Sequence, residues 1–251
     1  TPLYSSAASD VYKRQLKDSD EDGLKDIHEF SHGTSPFNSD QDGDGLLDGF
    51  EVKHNFDPLN DLGEAEADSD GDGLTNLEEQ AAGTQPRVAD TDSDTLLDGY
   101  ELNISGSDPL LADTDGDRLR DDIESTYNTD PHLVDTDGDG LSDYDEIFVH
   151  QTLADNADSD GDGLSDSLEL SGTYGNLNPN NAADALQDWD SDGLSNKDEI
   201  LEHQTNPQVA DSDGDGLDDG TEVTTGLNPL DSDYDDDGLN DGEDPEPWNY
   251  D

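Results

Sequence analysis

Residues 135–146 read DTDGDGLSDYDE, six acids in twelve positions with no basic residue among them. Two carboxylates about 4 Å apart repel by roughly 4 kcal/mol at an effective dielectric of 20, so a folded chain needs a reason to gather six. The rest of the sequence deepens the problem. Its 251 residues hold 69 acids against 9 Lys and Arg, for a net charge of −60. Hydrophobic residues make up 28% and mean hydropathy is −0.99. Chains of that composition lack the apolar surface for an ordinary core, so compact order requires positive charge from outside. Nucleic acid and anionic membranes repel such a surface, which leaves cations or a basic protein as partners.

The stretch recurs. The template D-x-D-x-D-G-L-x-D-x-x-E begins at Asp18, Asp40, Asp68, Asp90, Asp113, Asp135, Asp158, Asp188, Asp211 and Asp233. Seven of the nine steps are 22 or 23 residues, a regularity that marks a tandem-repeat array. The steps of 28 and 30 carry insertions around NDLGEAEA (60–67) and GNLNPNNAADALQ (175–187). Ten repeats thus occupy residues 16–251 and leave no room for a separate globular domain. Each loop leads into apolar residues at helical spacing, such as Leu141, Tyr144, Ile147 and Phe148. Gly or Asn then stands where a left-handed helix end belongs: Gly33, Asn55, Gly83, Gly106, Asn128, Gly172 and Gly226. Turns such as TSP 34–36 and TDP 129–131 follow. The expected fold is an elongated array of loops and short helices, stapled by metal, without a β-sheet core. Helices this short are marginal alone, so the loops must hold each unit.

Oxygen-only ligands in a flexible loop suit Ca²⁺, which takes six to eight oxygens. Five loop positions supply the candidates. Position 1 holds Asp18, Asp40, Asp68, Asp90, Asp113, Asp135, Asp158, Asp188, Asp211 and Asp233. Position 3 holds Asp20, Asp42, Asp70, Asp92, Asp115, Asp137, Asp160, Asp190, Asp213 and Asp235. Position 5 holds Asp22, Asp44, Asp72, Asp94, Asp117, Asp139, Asp162, Asp192, Asp215 and Asp237. Position 9 holds Asp26, Asp48, Asn76, Asp98, Asp121, Asp143, Asp166, Asn196, Asp219 and Asp241. Position 12 holds Glu29, Glu51, Glu79, Glu101, Glu124, Glu146, Glu169, Glu199, Glu222 and Asp244. These positions account for 48 of the 69 acids, so the charge lies where a metal loop wants it. Alternate residues of a curved loop point inward, Gly at position 6 permits the sharp turn, and positions 9 and 12 share a helix face. Mg²⁺ fits less well because it demands octahedral geometry, and no His in the loops calls for zinc or copper.

The loops DQDGDGLLDGFE, DTDGDGLSDYDE, DSDGDGLSDSLE and DSDGDGLDDGTE resemble thrombospondin type 3 repeats in their cysteine-free bacterial form, over residues 18 to about 244. The resemblance implies a secreted or cell-surface structural array that binds about one calcium per repeat or more, with little regular secondary structure. It differs from the animal pattern in lacking Cys, so metal must staple the units alone. It differs from a paired-hand sensor, since no entering helix precedes a loop. The reading is a non-enzymatic, calcium-rigidified stalk, matrix component or fibre whose partners are calcium and copies of itself. The alternative is a spacer within a larger secreted adhesin or enzyme.

Three loops depart from the template. Thr95 and Arg118 replace Gly at position 6, which predicts altered loop geometry or weaker binding, and Asp244 replaces Glu at position 12. The first fifteen residues do not share the repeat grammar. Their portion SSAASDVYKRQ resembles translated sequencing-adapter read-through, and residues 1–15 are set apart as non-native or linker. Methionine is absent even at position 1, as in a mature chain, a fragment or a truncated frame. No apolar run approaches the length of a membrane span, so no membrane insertion is expected. No nucleophile–base set or phosphate-cradling glycine loop is present. Trp189 and Trp248 read as local packing plugs, and His54, His150 and His203 as residues at helix ends.

Overall fold

The computed structural model describes residues 17–249, so the segment 1–15 set apart above lies outside the described residues. The chain divides into two units between Thr126 and Tyr127. Each unit is built from loops that feed short helices, with no strand among the described residues and one isolated bridge, Ser35–Asn38. The helices are α1 Asp26–His32, α2 Asp48–His54, α3 Asn76–Ala82, α4 Asp98–Tyr100, α5 Asp121–Tyr127, α6 Asp143–Asp145, α7 Asp166–Leu170, α8 Asn196–Asp198 and α9 Asp219–Thr225. Every one begins at loop position 9. Acids in the first turn face the positive end of the helix, a favourable placement.

The two step lengths have a physical origin. Helices α4, α6 and α8 continue into π-helical turns, Glu101–Ser105, Glu146–His150 and Glu199–His203. These are the helices of the three 23-residue steps, which begin at Asp90, Asp135 and Asp188. In the 22-residue steps the helix is α-helical throughout, as in α1, α3, α5 and α9. In seven repeats the left-handed residue returns its N–H to the carbonyl of the position-12 Glu. Gly33 reaches Glu29 over four residues, and Gly106 reaches Glu101 over five. A π turn therefore absorbs the extra residue without moving the glutamate.

The helix ends expected at Gly33, Asn55, Gly83, Gly106, Asn128, Gly172 and Gly226 all have positive φ, between 61° and 89°. Gln151 and Gln204 also take φ of 60°, at the ends of two π turns. Glutamine carries no sequence signal for that conformation. At position 6 the loops of Thr95 and Arg118 keep the standard geometry, with φ of 88° and 90°. Both donate their N–H to the position-1 aspartate at 3.1 Å, as the glycines do, so the loop path is unaltered and the strain stays in the residue. Thr95→Gly is expected to stabilise the calcium-loaded chain by about 1 kcal/mol, after the loss of an exposed hydroxyl bond to Asp122. A higher urea midpoint checks this, and an unchanged or lower one counts against it.

Among the described residues, buried polar or charged side chains number 31 against 11 apolar ones. The interior is thus mostly carboxylate. In the first unit Leu24, Leu46, Leu74 and Leu119, all at position 7, are buried. Phe50 packs on His54 and Phe56, and Arg87 lies over Phe56 at 4.7 Å while donating to the His54 carbonyl. In the second unit Leu164, Leu177, Ala185 and Ile200 form a cluster that Trp189 covers, so that tryptophan does serve as packing.

Neighbouring repeats are clamped through position 5. One oxygen of each aspartate holds the position-7 N–H of its own loop, as Asp22 holds Leu24. In six joints the other accepts the position-10 N–H of the next repeat: Gly49 to Asp22, Gly99 to Asp72, Asp122 to Asp94, Ser167 to Asp139, Gly220 to Asp192 and Gly242 to Asp215. The approach is close. A Cβ on Gly49 would stand 2.3 Å from the Asp22 carbonyl, which explains a glycine in the first helical turn.

Candidate metal centres

Each loop closes on its own aspartates. Both oxygens of position 1 accept backbone N–H groups, for example Gly138 and Gly140 on Asp135. At position 3, Asp42, Asp92, Asp137 and Asp213 each give one oxygen to the position-5 N–H and keep the other buried without a hydrogen bond. Position 9 holds the start of its own loop. Asp166 accepts both the N–H and the hydroxyl of Ser159, and Asp98 and Asp219 treat Thr91 and Ser212 alike.

The position-12 glutamates Glu29, Glu51, Glu79, Glu101, Glu124, Glu146, Glu169, Glu199 and Glu222 are all between 0% and 2% exposed. In Glu29, Glu51, Glu79, Glu169 and Glu222 neither oxygen has a hydrogen-bond partner. In the three π-turn repeats one oxygen accepts a hydroxyl, from Ser107, Thr152 or Thr205. A buried carboxylate with no donor is among the costliest arrangements a protein can hold unless a cation is matched to it. Burial first, then neighbouring carboxylates, push these groups up: Glu29 to about 7, Glu124 to about 9, and the others, such as Glu79 and Glu146, to about 8.

Two kinds of carboxylate group are present. Positions 1, 3 and 5 form one, as in Asp18, Asp20 and Asp22, with a ligand oxygen from each within 4.8 Å of the others. The second joins repeats: Asp22 and Glu29 stand with Asp48, which is position 9 of the following loop, within the same limit. Position 5 belongs to both. The sequence reading gathered positions 1, 3, 5, 9 and 12 of one loop about one ion; the structure also carries Asp48 to the preceding glutamate, Glu29. Asn76 and Asn196 do otherwise, turning their amide nitrogens to the carbonyls of Glu64 and Asp184. In the tenth loop Asp244 gives one oxygen to the Glu246 N–H, leaving the other without a partner. An all-oxygen, all-acidic set with orphaned buried oxygens fits a hard divalent ion and Ca²⁺ above all.

The sequence left several contributors unseen. The position-2 hydroxyls Thr91, Thr114, Thr136, Ser159 and Ser212 all brace position 9. Their recurrence as Thr or Ser was the available signal.

No helix among the described residues is long and apolar enough to cross a membrane. No curated protein matches the chain. The family model described as bacterial TSP3 repeat matches residues 18–39, 40–60, 68–86, 90–112, 113–133, 135–149, 158–171, 188–210 and 211–232. All nine segments open on the first aspartate of a loop, in agreement with the resemblance read from the sequence. With most of its length taken up by these calcium-binding units in tandem, the chain belongs to the bacterial TSP3 repeat family.

Proposed function

We propose that the chain is an extracellular structural element, an elongated calcium ladder in which metal binding and folding are one event. The observation that carries this reading is the row of buried position-12 glutamates, each with at least one oxygen that accepts no hydrogen bond and five of them, Glu29, Glu51, Glu79, Glu169 and Glu222, with two. The ligand set is that of the sequence reading, from Asp18 to Asp244, apart from Asn76 and Asn196, whose amides hold insertion carbonyls, with ions at the 1–3–5 groups and at the groups that join repeats. The loop from Asp233 is the tenth repeat in this reading. Its backbone bonds support it: Asp233 accepts Gly238, and Asp241 accepts Tyr234. Extracellular modules of this kind work at about 10⁻⁴–10⁻³ M calcium, the range expected here. The role is mechanical, as a stalk, a matrix component or the subunit of a fibre, and no catalytic role is assigned because the paired acids are committed to metal. A spacer within a larger adhesin or enzyme follows from the same architecture.

Electron microscopy of the purified chain in millimolar calcium is expected to show extended particles of uniform width, lost on adding EDTA. Extended particles that survive chelation unchanged overturn the ladder.

A further inference from the structure

The two long steps break the rule that joins neighbours. In the first joint position 9 brings a carboxylate to the preceding glutamate, Asp48 to Glu29, and the charges of Asp98, Asp219 and Asp241 likewise act on Glu79, Glu199 and Glu222. At these steps position 9 is Asn76 or Asn196, each amide donating at 2.7 Å to a carbonyl of the insertion, Glu64 or Asp184. The position-10 N–H groups also turn to the insertion, Leu77 to the Ala65 carbonyl and Lys197 to that of Ala185. Asp44 and Asp162 consequently each keep a buried oxygen without a hydrogen bond. Glu51 and Glu169 have no position-9 acid and four unbonded oxygens between them.

Both insertions close with the same pattern, acid-Ala-x-x-Asp: EAEAD at 64–68 and DALQD at 184–188. The alanines are buried, which pins the acid before each of them. One oxygen of the acid takes a backbone N–H, Asp57 on Glu64 at 3.1 Å and Asn178 on Asp184 at 2.9 Å. Asp184 is 6% exposed and its second oxygen has no partner. The charge of Glu64 acts on Glu51 and that of Asp184 on Glu169, as the charge of Asp48 acts on Glu29. We propose that Glu64 and Asp184 are calcium ligands, each replacing the missing position-9 aspartate in a site shared with Glu51 or Glu169. An insertion then preserves the joint between repeats by carrying its own carboxylate, while the asparagine becomes the strut that positions it. The inference rests on the calcium reading above.

Calorimetric titration with calcium, an ion count on the desalted chain and circular dichroism at saturating calcium test it on the full chain. Glu64→Gln and Asp184→Asn are each expected to weaken one ion by roughly tenfold or more. The double variant is expected to weaken two, and the exposed-acid control Glu66→Gln none. Both substitutions keep the backbone carbonyls that hold Asn76 and Asn196, so the helix signal at saturating calcium is expected to persist. A wild-type chain that binds no calcium overturns the calcium reading itself. A calcium-binding wild type matched in affinity and count by both variants overturns this inference alone, as does loss of helix with the ion count intact.

Discussion

Stripping calcium with EDTA at pH 8 is expected to abolish most of the helical circular dichroism of the chain and its resistance to protease. The magnitudes leave little alternative. Domain stability is typically about 5–15 kcal/mol, and a single close carboxylate pair at intermediate dielectric opposes it by roughly 4 kcal/mol. Such pairs recur along an array with a net charge of −60 and few buried apolar side chains to offset them. The pH dependence follows from the glutamates. Folded and metal-free, Glu51 and Glu79 are pushed from the ordinary 4.5 to about 8, so the folded state binds protons more tightly than the unfolded one. Metal-free stability is therefore greatest below pH 4.5, falls as pH rises, and is lost by about pH 8. Acidifying the chelated chain is expected to restore part of the helix signal. Calcium affinity runs the other way across the same window, because the ligands must shed their protons. An EDTA-treated chain at pH 8 with undiminished helix and protease resistance would contradict this account.

A single substitution at position 12 is expected to change sign with the metal. Glu79 is fully buried and neither oxygen accepts a hydrogen bond. Glu79→Gln keeps the shape and removes the charge. With calcium present it leaves part of an ion's charge unmatched, and that ion is expected to weaken roughly 10²–10³-fold, the scale of breaking a buried charge pair. Without calcium the same change removes the buried charge, so in EDTA at pH 8 the variant is expected to keep at least as much helix as the wild type. Titration calorimetry and paired dichroism spectra read the two halves. A variant that bound calcium at full strength, or that was less helical than the wild type in EDTA, would contradict the assignment.

Much of this was legible in the sequence because the loop constrains itself. Acids at fixed offsets, a turn residue at position 6 and a helix starting at position 9 are local requirements, and among the described residues every α-helix starts at position 9. What escaped was relational. That Asp48 serves Glu29 as well as its own loop depends on how one repeat lies on the next, and no spacing within a loop encodes it. The insertions of 60–67 and 175–187 looked like interruptions because their composition is that of ordinary loops. Only the hydrogen bonds of Asn76 and Asn196 expose Glu64 and Asp184 as equivalents. At Thr95 and Arg118 the altered loop geometry does not occur, since the loop closes on them along the same path as on glycine.

The π turns of Glu101–Ser105, Glu146–His150 and Glu199–His203 bear on how such a chain can change through descent. A codon gained or lost within the helix leaves every ligand in place, because the backbone takes up the slack between the glutamate and the left-handed residue. The same event inside the loop would displace the ligands downstream of it. Length variation among repeats is thus tolerated in one short window of each unit, and copying errors are filtered by where they fall in the repeat.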